Sequence, residues 1–191
     1  MITRMPIVRP RQDAGFSLLE TGILLSIMTI LAGFALLNLP AILPTMRADA
    51  ALNQTVAQLR TGRELAVSQR RNVELRFLDD DKIQLVRLDV PTGTTVLSTV
   101  TLENNIEFLL FAELPDTPDS FGNGSAVDFS GAARLVFLSD GTLVDGLGDP
   151  VSGSVFLGLA DHPETARAVT ILGATGRIRG YRWARTSWTP Q

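Results

Sequence analysis

Residues 16–37 read FSLLETGILLSIMTILAGFALL, an apolar run broken by one charge, Glu20. As a helix rising 1.5 Å per residue, such a run reaches roughly 33 Å, enough to cross the hydrocarbon core of a bilayer. Upstream, residues 1–15 carry Arg4, Arg9 and Arg11 against Asp13, and Pro6 and Pro10 discourage a helix. No comparable basic cluster follows the run at once, so the positive-inside rule puts the N-terminus in the cytoplasm and the rest of the chain beyond the membrane. A carboxylate within an apolar segment costs about 2.5–3.5 kcal/mol at the bilayer centre and less near the interface. Glu20 therefore calls for a partner or a function, unless it only snorkels to the headgroups.

Gly15-Phe16-Ser17-Leu18-Leu19-Glu20, behind a short basic leader and ahead of the apolar run, resembles the processing site of type IV prepilins and type II secretion pseudopilins. The resemblance implies that a membrane-embedded prepilin peptidase cuts between Gly15 and Phe16 and methylates the new N-terminus. Glu20 then becomes the fifth residue of the mature chain. Its carboxylate can offset the amine of a neighbouring Phe16 when subunits stack, in apolar surroundings that strengthen the attraction. The rival is an ordinary secretory signal peptide, for which Ala48-Asp49-Ala50 offers a cleavage site. That reading needs a longer apolar run than the usual h-region of about 7–15 residues, and it leaves Glu20 idle. A mature chain beginning at Phe16 or at Ala51 separates the two.

Pro40 and Pro44 each remove a helix hydrogen bond and predict a kink or local unwinding. Beyond them Leu52, Val56, Leu59, Ala66 and Val67 recur at helical spacing, with Arg60, Arg63 and Glu64 on other faces. An amphipathic helix over about residues 45–70, lying against a sheet, is expected. The organisation that follows is a leader at 1–15, a transmembrane and assembly helix at 16–39, an amphipathic helix at 40–71 and a β-rich domain at 72–191 with a basic tail.

After Arg71 the period changes to two. Val73, Leu75 and Phe77 alternate with Glu74 and Arg76, and Asp79-Asp80-Asp81 supplies a turn before a strand at Lys82–Leu88. Further strands are expected at residues 94–102, 105–111, 134–138, 153–159, 168–172 and 177–183. Residues 113–131, rich in Pro, Gly, Asp and Ser, predict a mobile surface loop. A long helix followed by short antiparallel strands gives an α+β, pilin-like class. Three further stretches resemble the GspH/FimT branch of pilin-like proteins: Glu64-Leu-Ala-Val-Ser-Gln-Arg-Arg-Asn-Val73, Leu135-Val-Phe-Leu-Ser-Asp-Gly141 and Ala168-Val-Thr-Ile-Leu-Gly-Ala-Thr-Gly-Arg-Ile178. With the N-terminal motif the resemblance runs from Phe16 to about Trp183.

Composition narrows the function. The chain has no cysteine, which removes disulfides and thiolate metal sites. His162 is the only histidine and stands in a polar Asp-His-Pro-Glu turn, so neither a histidine-based triad nor a histidine-rich metal site is available. Asp79-Asp80-Asp81 lacks EF-hand spacing and reads as a hairpin turn. No phosphate-binding or dinucleotide fingerprint is present, so a motor driving assembly must be a separate protein. The expectation is a non-enzymatic chain with no cofactor and no metal.

Charge is unevenly spread. From Asp79 to Glu164, fifteen carboxylates face Lys82, Arg87 and Arg134, whereas no carboxylate follows Thr165 and five arginines do. Gly176-Arg177-Ile178-Arg179 precedes Gly180-Tyr181-Arg182-Trp183-Ala184-Arg185. As a strand this puts Arg177, Arg179, Tyr181 and Trp183 on one face, with Ile178 inward. Guanidinium groups interleaved with aromatics suit phosphate contact and base stacking. In FimT-type minor pilins a Gly-Arg-x-Arg motif here is associated with DNA binding. Arg177 and Arg179 match that motif, and Arg182 and Arg185 extend it by charge alone. The bland alternative is solvation, or pairing with acidic neighbouring subunits.

Together these features imply a minor pilin or pseudopilin of GspH/FimT type. It would be a single-pass bacterial inner-membrane protein with its C-terminal domain in the periplasm. Its partners would be other pilins through the N-terminal helix, the prepilin peptidase and an inner-membrane assembly platform, with DNA as the alternative partner.

Overall fold

The computed structural model describes residues 17–191, and the side chains of all of these except 35–41. The chain divides into two units, Met1–Ala41 and Ile42–Gln191. The expected leader and the Gly15–Phe16 cut lie outside the described residues. One helix, α1 (Leu18–Gln69), includes both Pro40 and Pro44. The local unwinding expected at these prolines is absent. Each proline withdraws a single N–H, and the bonds of the neighbouring residues still hold the helical backbone.

In the first unit, Ser17 starts the helix by accepting the Glu20 N–H on its hydroxyl at 3.2 Å, an N-cap. Glu20 then sits in the first turn, where the helix dipole favours negative charge. Thr21, Ser26 and Thr29 donate their hydroxyls to the carbonyls of Leu18, Gly22 and Leu25 at 2.9, 2.8 and 2.7 Å. The hydroxyl groups of Thr21, Ser26 and Thr29 are thus satisfied within the helix, as apolar surroundings require. Its large side chains point outward, Leu18 being 93 % and Met28 69 % exposed. Among the described residues, no helix is long and apolar enough to cross a membrane; the run at 16–37 extends beyond those whose side chains are described.

In the second unit, Ala48, Ala51, Leu52, Thr55, Gln58, Leu59, Gly62 and Ala66 of α1 are buried, a stripe at spacings of three and four. Val67, expected on that stripe, is 43 % exposed, because it follows Ala66 by about 100° of helical turn and falls past the stripe's edge. At Gly62 the helix comes so close to the sheet that a Cβ would lie 2.8 Å from a Leu85 methyl.

The strands are β1 (Val73–Leu78), β2 (Lys82–Leu88), β3 (Thr94–Thr101), β4 (Glu107–Phe108), β5 (Val127–Asp128), β6 (Leu135–Phe137), β7 (Leu143–Val144), β8 (Gly153–Leu159), β9 (His162–Leu172), β10 (Arg177–Trp183) and β11 (Trp188–Pro190). They form one sheet of order β3-β2-β1-β6-β7 and another of order β11-β10-β9-β8-β4, with β5 also on β8. All these pairs are antiparallel. The architecture is α+β, as the change of period from 3.6 to 2 implies. Inward residues of both sheets, among them Leu75, Ile83, Leu85, Phe137, Leu157, Val169, Ile171 and Ile178, close one core with the helix stripe. Every residue of that core lies beyond Ile42, so the second unit carries a complete core of its own.

The opposite face of the second sheet holds Phe156, Ala166, Ala168, Tyr181 and Trp188 beneath Leu110, Phe111 and Leu114. This corrects the expectation of a mobile loop over residues 113–131. The segment contains β5, buries Thr117 and Phe129, and roofs a second apolar cluster. Its Pro and Gly content marked turns correctly and concealed the apolar residues between them. Two strands shift as well. The strand expected at 105–111 shrinks to β4, and β9 starts at His162, straight after Asp161 takes a left-handed φ of 64°.

Candidate functional site

Strand β10 carries the basic residues singled out in the sequence. Its burial alternates from exposed Arg177 through buried Ile178 to exposed Arg179, and Gly180 packs on Leu52 of α1. The ladder sets Arg179 opposite Thr170 and Tyr181 opposite Ala168. On this face one carboxylate, Asp119, takes hydroxyl donors from Thr170 at 2.6 Å and Tyr181 at 2.9 Å and the Arg179 guanidinium at 2.9 Å. Arg177 stands 3.9 Å from the same carboxylate. Burial alone would push the Asp119 carboxyl up; the two hydroxyls and then the charges of Arg179 and Arg177 outweigh it and hold the group below its ordinary value. Burial and the bond to Asp119 push the Tyr181 hydroxyl up.

The aromatics are not presented as the sequence suggested. Tyr181 is 3 % exposed and belongs to the second core cluster. Trp183 is half-buried against Trp188, ring centroids 5.3 Å apart, and Trp188 donates its indole N–H to the Pro115 carbonyl at 2.8 Å. An exposed stacking platform is therefore missing from this face, because the segment around Leu114 covers it.

Arg182 points the other way. It lies 3.9 Å from Asp49 of α1, whereas Arg185 stands exposed in the turn after β10 with φ 67°. The structure thus brings Arg177 and Arg179 together and places Arg182 and Arg185 apart from them. Among the described residues, no group of three or more His, Cys, Asp or Glu is placed to hold a metal ion. The His162 ring meets exposed Glu164, at 2.8 Å.

No protein-family model matches the chain, and no curated protein matches it. Among solved structures, the chain is similar to the type IV minor pilin FimU of Pseudomonas aeruginosa, at 18 % identity and a TM-score of 0.50, over 74 % of this chain and 91 % of that one. The fold is pilin-like. The minor pseudopilin EpsH of Vibrio cholerae is also similar, at 16 % identity and a TM-score of 0.46, over 71 % of this chain and 97 % of that one.

Within this pilin-like fold three residues matter that sequence reading missed. Asp119 gave no signal, being one carboxylate among many in an acidic stretch. Arg167 did leave one, since it is the one charge in residues 166–172 and shares a strand face with Val169 and Ile171. Its side chain is wholly buried and donates to Asp49 at 2.7 Å and to the carbonyls of Ala166 at 2.8 Å, Glu164 at 3.2 Å and Thr45 at 3.3 Å. Arg63, off the apolar stripe as its spacing implies, donates to the carbonyls of Gly141 at 3.1 Å and Thr175 at 3.2 Å and so fixes the turn ahead of Arg177.

Proposed function

We propose that this chain is a minor pilin or minor pseudopilin, a structural subunit of a type IV pilus or type II secretion pseudopilus. The observation that carries the reading is the helix from Leu18 onward, with large apolar side chains outward and Glu20 as the lone acid in its first turn, belonging to a chain whose fold is pilin-like. A monomer in water gains nothing from such a surface, and burying it against lipid or sister helices removes its apolar area from water. The subunit waits in the bacterial inner membrane with its globular unit in the periplasm, then joins other pilins at an assembly platform. Glu20 sets the axial register by meeting the amine of a neighbouring Phe16. The role is structural and not enzymatic.

N-terminal sequencing and mass spectrometry of the mature chain test the reading. A methylated Phe16, dependent on the prepilin peptidase, is the expected result; Ala51 at the N-terminus, or the same product in cells without the peptidase, rejects it.

The DNA-binding alternative rests on Arg177 and Arg179. Asp119 bonds Arg179 and stands 3.9 Å from Arg177, so one carboxylate offsets part of the charge of the two, and Tyr181 is turned into the core. A salt-dependent mobility shift that disappears in Arg177→Ala/Arg179→Ala is the result that would favour it.

A further inference from the structure

We propose that the end of the globular unit at which the chain enters, around Ile42, docks on an anionic lipid surface. The inference rests on the membrane reading above and adds a second contact to it. Ile42, Leu43 and Met46 are 53 %, 39 % and 61 % exposed, an apolar group in the first turns of the unit. Arg47 is exposed in the next position, and Arg182 and Arg185 stand at the end of β10 that meets this part of α1. Apolar side chains beside arginines, at the point where a chain leaves a bilayer, form the combination that interfacial segments use.

The carboxylates nearby do not cancel this charge. Asp49 is bonded at 2.7 Å to buried Arg167, so that pair is neutral within itself. Arg182, 3.9 Å from Asp49, is 46 % exposed and makes no closer ion pair. Glu164 attracts Arg185, but the two form no ion pair, so the carboxylate offsets that arginine only in part. The acidic turn at residues 79–81 lies further along α1. Leu102 donates to the Asp81 carbonyl, and the adjoining Thr101 carbonyl is met by Gln54, roughly 7.5 Å of helix beyond Asp49.

The test is co-sedimentation of the Ile42–Gln191 unit, which holds a complete core, with vesicles of phosphatidylcholine alone or mixed with phosphatidylglycerol. Binding to the anionic vesicles only, weakened by salt, is expected. Each arginine near such a surface is worth about fivefold in affinity, so Arg182→Gln/Arg185→Gln should weaken binding by roughly 25-fold. Met46→Ser should weaken it as well. Both variants should keep the wild-type unfolding midpoint, because the altered side chains are exposed. Equal binding to neutral vesicles, no binding to either, or full binding by the double variant overturns the proposal. So does displacement by short duplex DNA at matched phosphate concentration, which would assign these arginines to nucleic acid. A mature chain starting at Phe16 whose unit ignores anionic vesicles sinks the docking alone; one starting at Ala51 sinks the subunit reading whatever the vesicles do.

Discussion

Arg167 donates its Nε–H to Asp49 at 2.7 Å, joining strand β9 to helix α1 across 118 positions of chain. The guanidinium is wholly buried, the carboxylate about one-third exposed, and three backbone carbonyls take further donors. Removing one member of such a pair leaves a buried charge without its counter-charge, at a cost of about 3–5 kcal/mol. Asp49→Ala should therefore lower the unfolding free energy of the Ile42–Gln191 unit by about 3 kcal/mol in urea titrations. Asp49→Asn, which keeps an acceptor, should cost less. An Asp49→Ala unit as stable as wild type would show that the carbonyls alone suffice for Arg167.

The Asp119 cluster predicts a pH dependence. Its native carboxyl lies below the ordinary value, so on acidification the unfolded chain takes up the proton first. The stabilisation is complete above the unfolded value of about 3.9 and is lost as pH falls through the native value. Glu74, Asp89, Asp140, Asp145 and Glu164 are also held low and add to the acid slope, so a comparison is needed. Asp119→Asn should be less stable than wild type at pH 7, and the gap should close toward pH 2. Urea midpoints measured across that range check it, and a gap independent of pH contradicts the cluster's charge.

What could be read in the sequence follows from the range of the forces involved. The helix stripe at Leu52, Leu59 and Ala66, the hairpin at residues 79–81 and the alternation of Arg177, Ile178 and Arg179 are local periodicities, and the structure carries each of them. Strands β5, β7 and β11 are two or three residues long, too short for any period to appear, and exist because β8, β6 and β10 offer them partners. Asp119 lies 51 residues from Thr170 and 60 from Arg179. Only tertiary closure brings these together, so the partial offset of the Arg177 and Arg179 charge by Asp119 was hidden while the charge itself was plain.

Gly176 is a position where no other residue fits. Its φ is +60°, and a Cβ there would run into the Gly141 carbonyl oxygen and come within 2.7 Å of Arg63 Nε. Left-handed backbone costs a non-glycine residue about 1–2 kcal/mol, and the overlap adds to it. Gly176→Ala should lower the unfolding free energy by at least about 2 kcal/mol and detach Arg63 from Thr175. Gly131→Ala, at φ +77° with open space around it, tests the backbone term by itself and should cost less. Thermal melts of the two variants decide between strain and collision.

Glu20 separates assembly from folding. It lies in the first unit, while the described core lies wholly in the second, so Glu20→Leu should leave the unfolding of Ile42–Gln191 untouched. Charge is what the subunit reading needs from this side chain: in apolar surroundings an unpaired Phe16 amine would be strongly disfavoured beside a sister helix. Glu20→Leu should then be processed and held in the membrane, yet be recovered in sheared filaments at least tenfold less than wild type. Glu20→Asp, which keeps the charge on a shorter arm, should recover part of that loss, and Glu20→Gln, nearly the same size without the charge, should not. Immunoblots of membrane and filament fractions from cells carrying each variant measure this. Wild-type incorporation of Glu20→Gln would mean that packing, not charge, sets the register, and the ionic account of assembly would have to be given up.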